Sequence, residues 1–422
     1  MKRQKLHIVI IGNGVAGNSA ASIIRQTDKE AAITMISHEP FPEYSACVLS
    51  KKYISGEMKR GEVFLKTFQD YSKENVTILF GQKVIKLDFL KKEVILETGI
   101  KGYDKLIIAT GGRSLVPKIP GIDKEGIFTL KSLEDAERIS NYSGRKAVVI
   151  GAGPIGVEAI ISLKKRGWDV ILVELLDYVL PTLFDNEVSS ILRKRIEDYG
   201  IEVLTGERAV GFIGDGRVCA VSTERREIKC GMVILSLGIR PNVALAQEAG
   251  IEIGSLGGIK INDHLMTNVE DVYACGDCVE SRNIISGENI LCLLWYNAKI
   301  QGEIAGYNAI GIGKNYQGTM NISSVEIFET YAVSIGHNMS SLKGINVKVI
   351  ERKSNWYHRL LVVDGIIVGA QLVGRTSDIG PLVNAIRRKD TLEGLHRVIG
   401  DGNLLSKNPL CYKLFPYIGQ LV

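Results

Sequence analysis

The fold of this chain is decided by the stretch HIVIIGNGVAG at residues 7–17. HIVII is a short, β-branched run typical of a buried strand, and the glycine-rich loop after it opens a helical stretch that reaches about Gln26. In such a unit Gly12 permits the tight turn, Gly14 lets a pyrophosphate approach the backbone, and Gly17 lets helix and strand pack closely. Because the loop lies between a strand and a helix, it predicts a dinucleotide-binding loop.

The same unit occurs a second time further along the chain. AVVI is the strand, GAGPIG the loop with Gly151, Gly153 and Gly156, VEAIISLKKRG the helix, and DVILVE the next strand. Each copy is a βαβ unit of roughly thirty residues. Two such units indicate two separate nucleotide-binding domains.

An acidic residue lies at the end of the second strand of each unit or shortly after it. Glu39 stands two residues after the strand end at Ser37, and Glu174 ends its own strand. A carboxylate at this place accepts hydrogen bonds from ribose hydroxyls and repels a 2′-phosphate. The four residues after Glu174 include no arginine that could receive such a phosphate. We therefore expect Glu39 and Glu174 to hold ribose groups, and the second loop to prefer NADH over NADPH.

Composition excludes several classes of protein. The chain has 422 residues, 45 glycines and a formal net charge of +5, which indicates two or more globular domains and no nucleic-acid partner. The sequence has no run of about 18 apolar residues, so we expect no membrane span. The basic start leads into a short strand rather than the apolar core of a signal peptide, so a cytoplasmic location is expected. Seven scattered cysteines argue against a disulfide framework.

Five landmarks in a fixed order make the chain similar to the pyridine nucleotide–disulfide oxidoreductase superfamily. They are IGNGVAG at 11–17, LIIATGGR at 106–113, GAGPIGVE at 151–158, LSLGIRPN at 235–242 and TNVEDVYACGDC at 267–278. The resemblance implies FAD and NAD(H) as cofactors. It also implies an α/β fold with two Rossmann-like dinucleotide-binding domains arranged as in glutathione reductase, followed by a C-terminal α+β domain.

The resemblance also divides the chain into domains. The FAD-binding domain is expected to be discontinuous, over residues 1–112 and 238–315, and the NAD(H)-binding domain to span 113–237. Residues 316–422 would form a C-terminal dimerisation or partner-interface domain. The apolar tail PLCYKLFPYIGQLV would pack either on its own domain or on another chain, since the protein is expected to be a homo-oligomer or part of a multi-subunit complex.

Cofactor-binding residues outside the two loops are implied by the same resemblance. The turn of Ala109, Thr110 and Gly111 would lie beside the FAD. Asp277 would accept a hydrogen bond from a ribitol hydroxyl of FAD, for which a carboxylate is a suitable acceptor. Gly238 would lie where the chain returns to the FAD domain.

Two catalytic residues are implied in addition. Glu158 would lie near the junction of flavin and nicotinamide and pair with a lysine of the LSKK segment at 49–52. Lys51 matches the family pattern, and Lys52 is the alternative. A lysine near the flavin would stabilise negative charge on the reduced ring.

The cysteines give one open question. Cys275 and Cys278 form a CxxC pair, but it lies inside the second FAD landmark and no second pair completes a zinc site, so we expect a structural role. Cys47 lies in EPFPEYSACVLSKKYISGE, where dithiol members of the superfamily carry two cysteines and single-cysteine members carry a cysteine followed by glycine. Here Val48 follows, so Cys47 is either a redox relay or a small structural residue.

Two functions remain open from the sequence. In the first, an FAD-dependent NADH oxidoreductase exchanges electrons with an iron–sulfur protein or subunit, because a flavin converts two-electron into one-electron chemistry. The segment around Cys47 resembles that of rubredoxin reductases and nitrite reductase flavin domains. In the second, the chain is a single-cysteine coenzyme A disulfide reductase or NADH oxidase that uses Cys47 as a redox relay.

Overall fold

The computed structural model describes residues 5–353, 356–375, 377–392 and 394. The chain forms two compact units: the first contains residues up to 48, 58–114 and 239–319, and the second contains 49–57, 115–238 and the chain from 320 onward. The chain changes unit after Ser114 and again after Gly238. Residues 49–57 group with the second unit, which the sequence did not indicate.

The described residues form 25 strands and eight α-helices. The strands are β1 (His7–Ile11), β2 (Ala32–Ile36), β3 (Val76–Leu79), β4 (Val84–Asp88), β5 (Glu93–Leu96), β6 (Gly99–Gly102), β7 (Lys105–Ile108), β8 (Gly112–Ser114), β9 (Ile127–Thr129), β10 (Lys146–Ile150), β11 (Asp169–Val173), β12 (Glu202–Leu204), β13 (Ala209–Ile213), β14 (Ala220–Thr223), β15 (Glu227–Lys229), β16 (Met232–Leu235), β17 (Ile239–Pro241), β18 (Val272–Ala274), β19 (Ser281–Arg282), β20 (Asn289–Ile290), β21 (Ile322–Ile327), β22 (Thr330–Gly336), β23 (Lys348–Lys353), β24 (Tyr357–Val363) and β25 (Ile366–Val373). The α-helices are α1 (Val15–Thr27), α2 (Phe68–Lys73), α3 (Leu133–Asn141), α4 (Pro154–Lys165), α5 (Asn186–Asp198), α6 (Ala244–Glu248), α7 (Trp295–Ala309) and α8 (Ile379–Arg388).

The first unit is built on a parallel sheet with strand order β18-β7-β1-β2-β3. Its strands are apolar along their length because both faces of the sheet are covered, and Ile8, Val9 and Ile10 of β1 are fully buried. Helix α7 packs on α1 at very short range, since a Cβ placed on Gly302 would lie 2.2 Å from the backbone oxygen of Ala16. The glycine is therefore required by the helix contact.

The second unit contains another parallel sheet, with strand order β12-β11-β10-β16-β9. β10 lies between β11 and β16, with Val148 opposite Ile171 on one side and opposite Val233 on the other. The antiparallel strands β13, β14 and β15 form a separate small sheet in this unit. The two parallel sheets confirm the α/β fold with two Rossmann-like regions.

The C-terminal part of the second unit is an antiparallel sheet of order β21-β22-β25-β24-β23, with α8 after it. The segments ISSVEI, TYAVSIG, YHRLLVV and IIVGAQLV form four strands of this sheet, and IGPLVNAIRR forms helix α8. The apolar tail and Cys411 lie outside the described residues. Within the described part of the chain, no helix is both long enough and apolar enough to cross a bilayer.

Candidate active site

The first glycine loop has three glycines with different local surroundings. Gly12 adopts φ +120°, and a Cβ there would lie 2.1 Å from the backbone oxygen of Ala109. A Cβ on Gly17 would lie 2.1 Å from the oxygen of Gly12, whereas a Cβ on Gly14 would meet nothing within 4 Å. Gly12 and Gly17 are thus needed for packing, while open space lies in front of Gly14, the N-cap of α1, which no side chain caps. Free N–H groups beside open space fit a pyrophosphate.

The second glycine loop repeats this arrangement in the second unit. Gly151 adopts φ +102°, and its Cβ would lie 2.2 Å from the oxygen of Ser236. A Cβ on Gly156 would lie 1.9 Å from the oxygen of Gly151, and one on Gly153 would meet nothing within 4 Å. Helix α4 begins at Pro154, where the missing N–H costs no intrahelical hydrogen bond. The loop therefore also fits a pyrophosphate.

The two predicted ribose carboxylates differ in their surroundings. Glu39 is half-buried, and the hydroxyl of Tyr44 donates to its two oxygens at 3.0 and 3.1 Å. Glu174 is only 8% exposed and accepts hydrogen bonds from the backbone N–H of Ala152 at 2.6 Å and of Leu176 at 2.8 Å. Each carboxylate oxygen keeps a further lone pair for a hydroxyl. Glu174 thus also fastens the glycine loop, which sequence reasoning missed.

The turn at Ala109–Gly111 is hydrogen-bonded to Asn242, the last residue of the landmark at 235–242. Thr110 donates through its hydroxyl to the backbone oxygen of Asn242 at 2.7 Å, and Asn242 N–H donates to the oxygen of Gly111 at 2.9 Å. Gly111 adopts φ +66°, which favours glycine. These bonds hold two of the five landmarks together within the first unit.

Asp277 lies in the landmark at residues 267–278, within the first unit. It is half-buried, while Gly276 before it and Cys278 after it are buried. Gly276 adopts φ +83°, a conformation that turns the chain sharply after β18. Asp277 is therefore the partly exposed residue of this turn.

Lys51 and Glu158 form an ion pair in the second unit. Lys51 Nζ lies 3.4 Å from Glu158 Oε1, and Ser50 donates through its hydroxyl to Glu158 Oε2 at 2.5 Å. Glu158 is 8% exposed. Burial raises the pKa of this carboxyl, and Lys51 opposes the rise. Lys52 is exposed, so the structure selects Lys51 as the lysine that pairs with Glu158.

The backbone around Lys51 is fixed by a second serine. Ser162 of α4 donates through its hydroxyl to the backbone oxygens of Ser50 at 2.5 Å and of Lys51 at 2.8 Å. Residues Leu49–Tyr53 form a π-helical turn, a form often found at functional sites. The hydrogen bonds from Ser162 attach this turn to α4, which belongs to the second unit.

The CxxC pair is buried, as the sequence interpretation requires. Cys275 and Cys278 have no exposed surface, and Cys278 Sγ donates to the backbone oxygen of Cys275 at 3.2 Å. Burial raises the pKa of both thiols, that of Cys278 to about 11. Such thiols do not form the reactive thiolate at neutral pH, which supports a structural role.

Cys47 has a different environment from the CxxC pair. It is half-buried and lies in a single helical turn, Ala46–Val48, of the first unit. Among the described cysteines none forms a disulfide, and the described residues contain no cluster of side chains suited to a metal ion. Cys47 is the one cysteine in residues 39–57, so this segment has no second cysteine with which it could form a dithiol pair.

Both glycine loops lie in a part of the chain that matches a known protein family. Residues 6–302 match the family described as pyridine nucleotide-disulphide oxidoreductase. An NADH oxidase of Methanocaldococcus jannaschii is 32% identical over 394 residues, which are 87% of this chain and 88% of that protein. A nitrite reductase (NAD(P)H) of Bacillus subtilis is 30% identical over 91% of this chain but only 48% of its own length, so the chain spans about half of that relative.

A solved structure agrees over almost the whole chain. The NAD-dependent persulfide reductase from A. fulgidus superposes with a TM-score of 0.87 and 30% identity, over 92% of this chain and 78% of that one. The similarity thus extends beyond the two glycine loops into the C-terminal part of the chain.

Proposed function

The chain belongs to the pyridine nucleotide-disulphide oxidoreductase family and is an FAD-dependent NAD(P)H oxidoreductase, and from this we propose that it transfers a hydride between NAD(H) and flavin and exchanges electrons with an iron–sulfur protein or subunit. The observation that carries the proposal is the pair of glycine loops, each with open space in front of its middle glycine. One loop lies in each compact unit. Two dinucleotides, rather than one, can therefore be held by this chain.

In this proposal the first unit holds FAD. The pyrophosphate lies against Gly14 and the N-terminus of α1, and Glu39 accepts hydrogen bonds from the adenosine ribose. Asp277 accepts one from the ribitol, and the Ala109–Gly111 turn lies beside the cofactor. The half-buried state of Glu39 and Asp277 supports these roles, because neither residue is fully enclosed by the protein.

The second unit holds the nicotinamide dinucleotide in the same proposal. Its pyrophosphate lies against Gly153 and the N-terminus of α4. Glu174 accepts hydrogen bonds from the adenosine ribose and disfavours a 2′-phosphate, so NADH is the preferred form. Support comes from the backbone bonds to Ala152 and Leu176, which hold this carboxylate beside the loop.

Lys51, the cation of the ion pair with Glu158, supplies the positive charge for the flavin chemistry. When bound, FAD accepts a hydride at N5 and releases the two electrons singly. Lys51 provides a fixed cation that stabilises negative charge on the reduced ring. Glu158 and Ser50 hold that cation in one position, so they act as positioning residues.

The proposed acceptor is an iron–sulfur protein because residues 39–57, which contain one cysteine, resemble the corresponding segment of rubredoxin reductases and nitrite reductase flavin domains. A redox-active dithiol beside the flavin would require two cysteines in this segment. With Cys47 alone in residues 39–57, the electrons leave to an external acceptor. The C-terminal region from residue 316 is proposed as the surface for dimerisation or for that partner.

The test is acceptor competition with the full chain reconstituted with FAD. Under anaerobic conditions, NADH-driven reduction of a ferredoxin or rubredoxin is compared with reduction of coenzyme A disulfide. The proposal expects turnover with the iron–sulfur protein and little with the disulfide. Turnover with the disulfide alone would contradict it.

A second candidate function rests on Cys47. Cys47 is half-buried, whereas Cys275 and Cys278 are fully buried. In that function Cys47 relays electrons to coenzyme A disulfide, a persulfide or oxygen. Cys47→Ser separates the two: NADH-driven reduction of an artificial dye survives the change if the flavin alone delivers electrons, whereas disulfide reduction is lost if Cys47 is the relay.

A further inference from the structure

A buried row of hydrogen-bonded side chains lies behind the turn that carries Asp277. The N–H of Gly276 donates to Gln301 Oε1 at 2.8 Å, and Gln301 Nε2 donates to the hydroxyl of Tyr316 at 3.2 Å. Tyr316 in turn donates to Asn297 Oδ1. Because the backbone N–H of Gly276 can only donate, it is the side-chain oxygen of Gln301, not its NH₂ group, that faces this N–H. That fixes the direction of every later bond in the row.

The side chains of the row are buried, and its last hydrogen bond is made to the backbone. Asn297 Nδ2 donates to the oxygen of Cys292 at 3.1 Å. Gln301 is 0% exposed, Asn297 6% and Tyr316 7%. A buried polar row with all partners in place holds one geometry, because any rotation leaves a donor or acceptor without a partner. The turn at Gly276 is therefore held by α7, not only by its own backbone.

The next residue of α7 contacts the first glycine loop. A Cβ on Gly302 would lie 2.2 Å from the backbone oxygen of Ala16, in the first turn of α1. A Cβ on Gly276 would itself lie 3.0 Å from the Cβ of Ala16. Gln301 and Gly302 thus contact the two FAD landmarks from adjacent positions on one helix, and these contacts set the spacing between Gly14 and Asp277.

We propose that Gln301 is a positioning residue for FAD. It holds the Gly276 peptide so that the carboxylate of Asp277 stands at the correct distance from the pyrophosphate cradle at Gly14. Gln301 does not contact the cofactor. The inference rests on the FAD site assigned under Proposed function, and it does not depend on the electron acceptor.

The test measures FAD binding rather than turnover. Gln301→Leu keeps most of the volume but leaves the N–H of Gly276 without an acceptor. We expect its FAD dissociation constant, measured by fluorescence on the apoprotein, to rise about tenfold or more. The visible circular dichroism of the bound flavin should change as well, since the ribitol is held differently.

A conservative variant separates positioning from general packing. Gln301→Glu keeps an oxygen that can accept from Gly276, and a protonated carboxyl can donate to Tyr316. We expect its FAD affinity at about pH 6 to lie within roughly threefold of the parent chain. Wild-type affinity and an unchanged flavin spectrum in Gln301→Leu would overturn the proposal.

Two further variants keep the test decisive. If Gln301→Leu does not fold, Tyr316→Phe replaces it: weaker FAD binding supports the proposal, and unchanged binding overturns it. Asp277→Ala tests the FAD site itself. If Asp277→Ala weakens FAD and Gln301→Leu does not, only the present inference fails. If neither weakens FAD, the assignment of Asp277 fails as well.

Discussion

Lys51 Nζ lies 3.4 Å from Glu158 Oε1, while the hydroxyl of Ser50 donates to the other oxygen of the same carboxylate. The carboxylate is buried, whereas Lys51 is about a third exposed, with 29% of its side chain accessible. Burying a charge without a partner is costly, so removing either partner leaves the other in an unfavourable state. The lysine is thus held by the fold in one position, which is what a fixed cation at a redox site requires.

Lys51→Met should slow flavin reduction by NADH about 10- to 100-fold, because the cation that stabilises negative charge on the reduced ring is lost. The rate is measured by anaerobic stopped-flow absorbance. Lys52→Met is the matched control, since the neighbouring lysine is exposed and should leave the rate unchanged. Equal effects of the two substitutions would remove the assignment of Lys51.

Glu174→Ala should raise the KM for NADH about tenfold and change the KM for NADPH less, because a hydrogen-bond acceptor and a repulsive charge are both removed. The preference for NADH over NADPH should therefore narrow. Steady-state kinetics with both nucleotides measure this. Asp169→Ala is the control, because Asp169 lies at the opposite end of the same strand, β11, and is exposed. An unchanged preference in Glu174→Ala would contradict the ribose assignment.

The glycines of the first loop should respond differently to alanine. Gly14→Ala meets no protein atom within 4 Å and should fold with unchanged thermal stability of the apoprotein, yet bind FAD at least about tenfold more weakly. Gly17→Ala places its Cβ 2.1 Å from a backbone oxygen and should lower stability itself. Thermal unfolding of both apoproteins distinguishes them. A Gly14→Ala chain that binds FAD normally would show that the open space does not hold a pyrophosphate.

Glu43 should make stability depend on pH. Burial raises the pKa of this carboxyl to about 7, although Lys66 opposes the rise. The unfolded chain loses this proton at lower pH than the folded chain, so stability is lost as pH rises from the unfolded pKa towards about 7. Glu43→Gln should therefore stabilise the protein by about 1–3 kcal/mol at pH 8 and much less near pH 5.

The measurement for Glu43 is denaturant unfolding at both pH values. Glu30→Gln is the control, since Glu30 is exposed and should have no comparable effect. A stabilisation of equal size at both pH values would show that titration of Glu43 is not its cause.

The fold could be predicted from the sequence because its signals are local. The strands HIVII and AVVI and the glycines after them lie in single short stretches, and chain order placed the remaining landmarks. Helix α5, Asn186–Asp198, was not identified. Its buried apolar residues Val188, Leu192 and Ile196 stand four positions apart, a spacing that is itself typical of an amphipathic helix.

The candidate site was predicted only where a motif marks it. Lys51 and Glu158 followed from resemblance, but Ser50, which bonds Glu158 across 108 positions, carries no local signal. Gln301 is likewise 25 positions from Gly276. Contacts of this kind are decided by tertiary packing, which periodicity and spacing do not contain. The CxxC pair shows the converse case: its spacing alone favours a redox or metal site, whereas its position inside a landmark and its burial in the fold both argue against one.

An anaerobic NADH titration of the oxidised, FAD-loaded chain, purified without added thiol, tests the central claim most directly. We expect uptake of about two electrons per FAD, because direct delivery requires the flavin alone to store them. Uptake of about four electrons would mean that Cys47 carries a reducible sulfur species. That result would contradict direct delivery from the flavin to an iron–sulfur acceptor and would establish the thiol relay in its place.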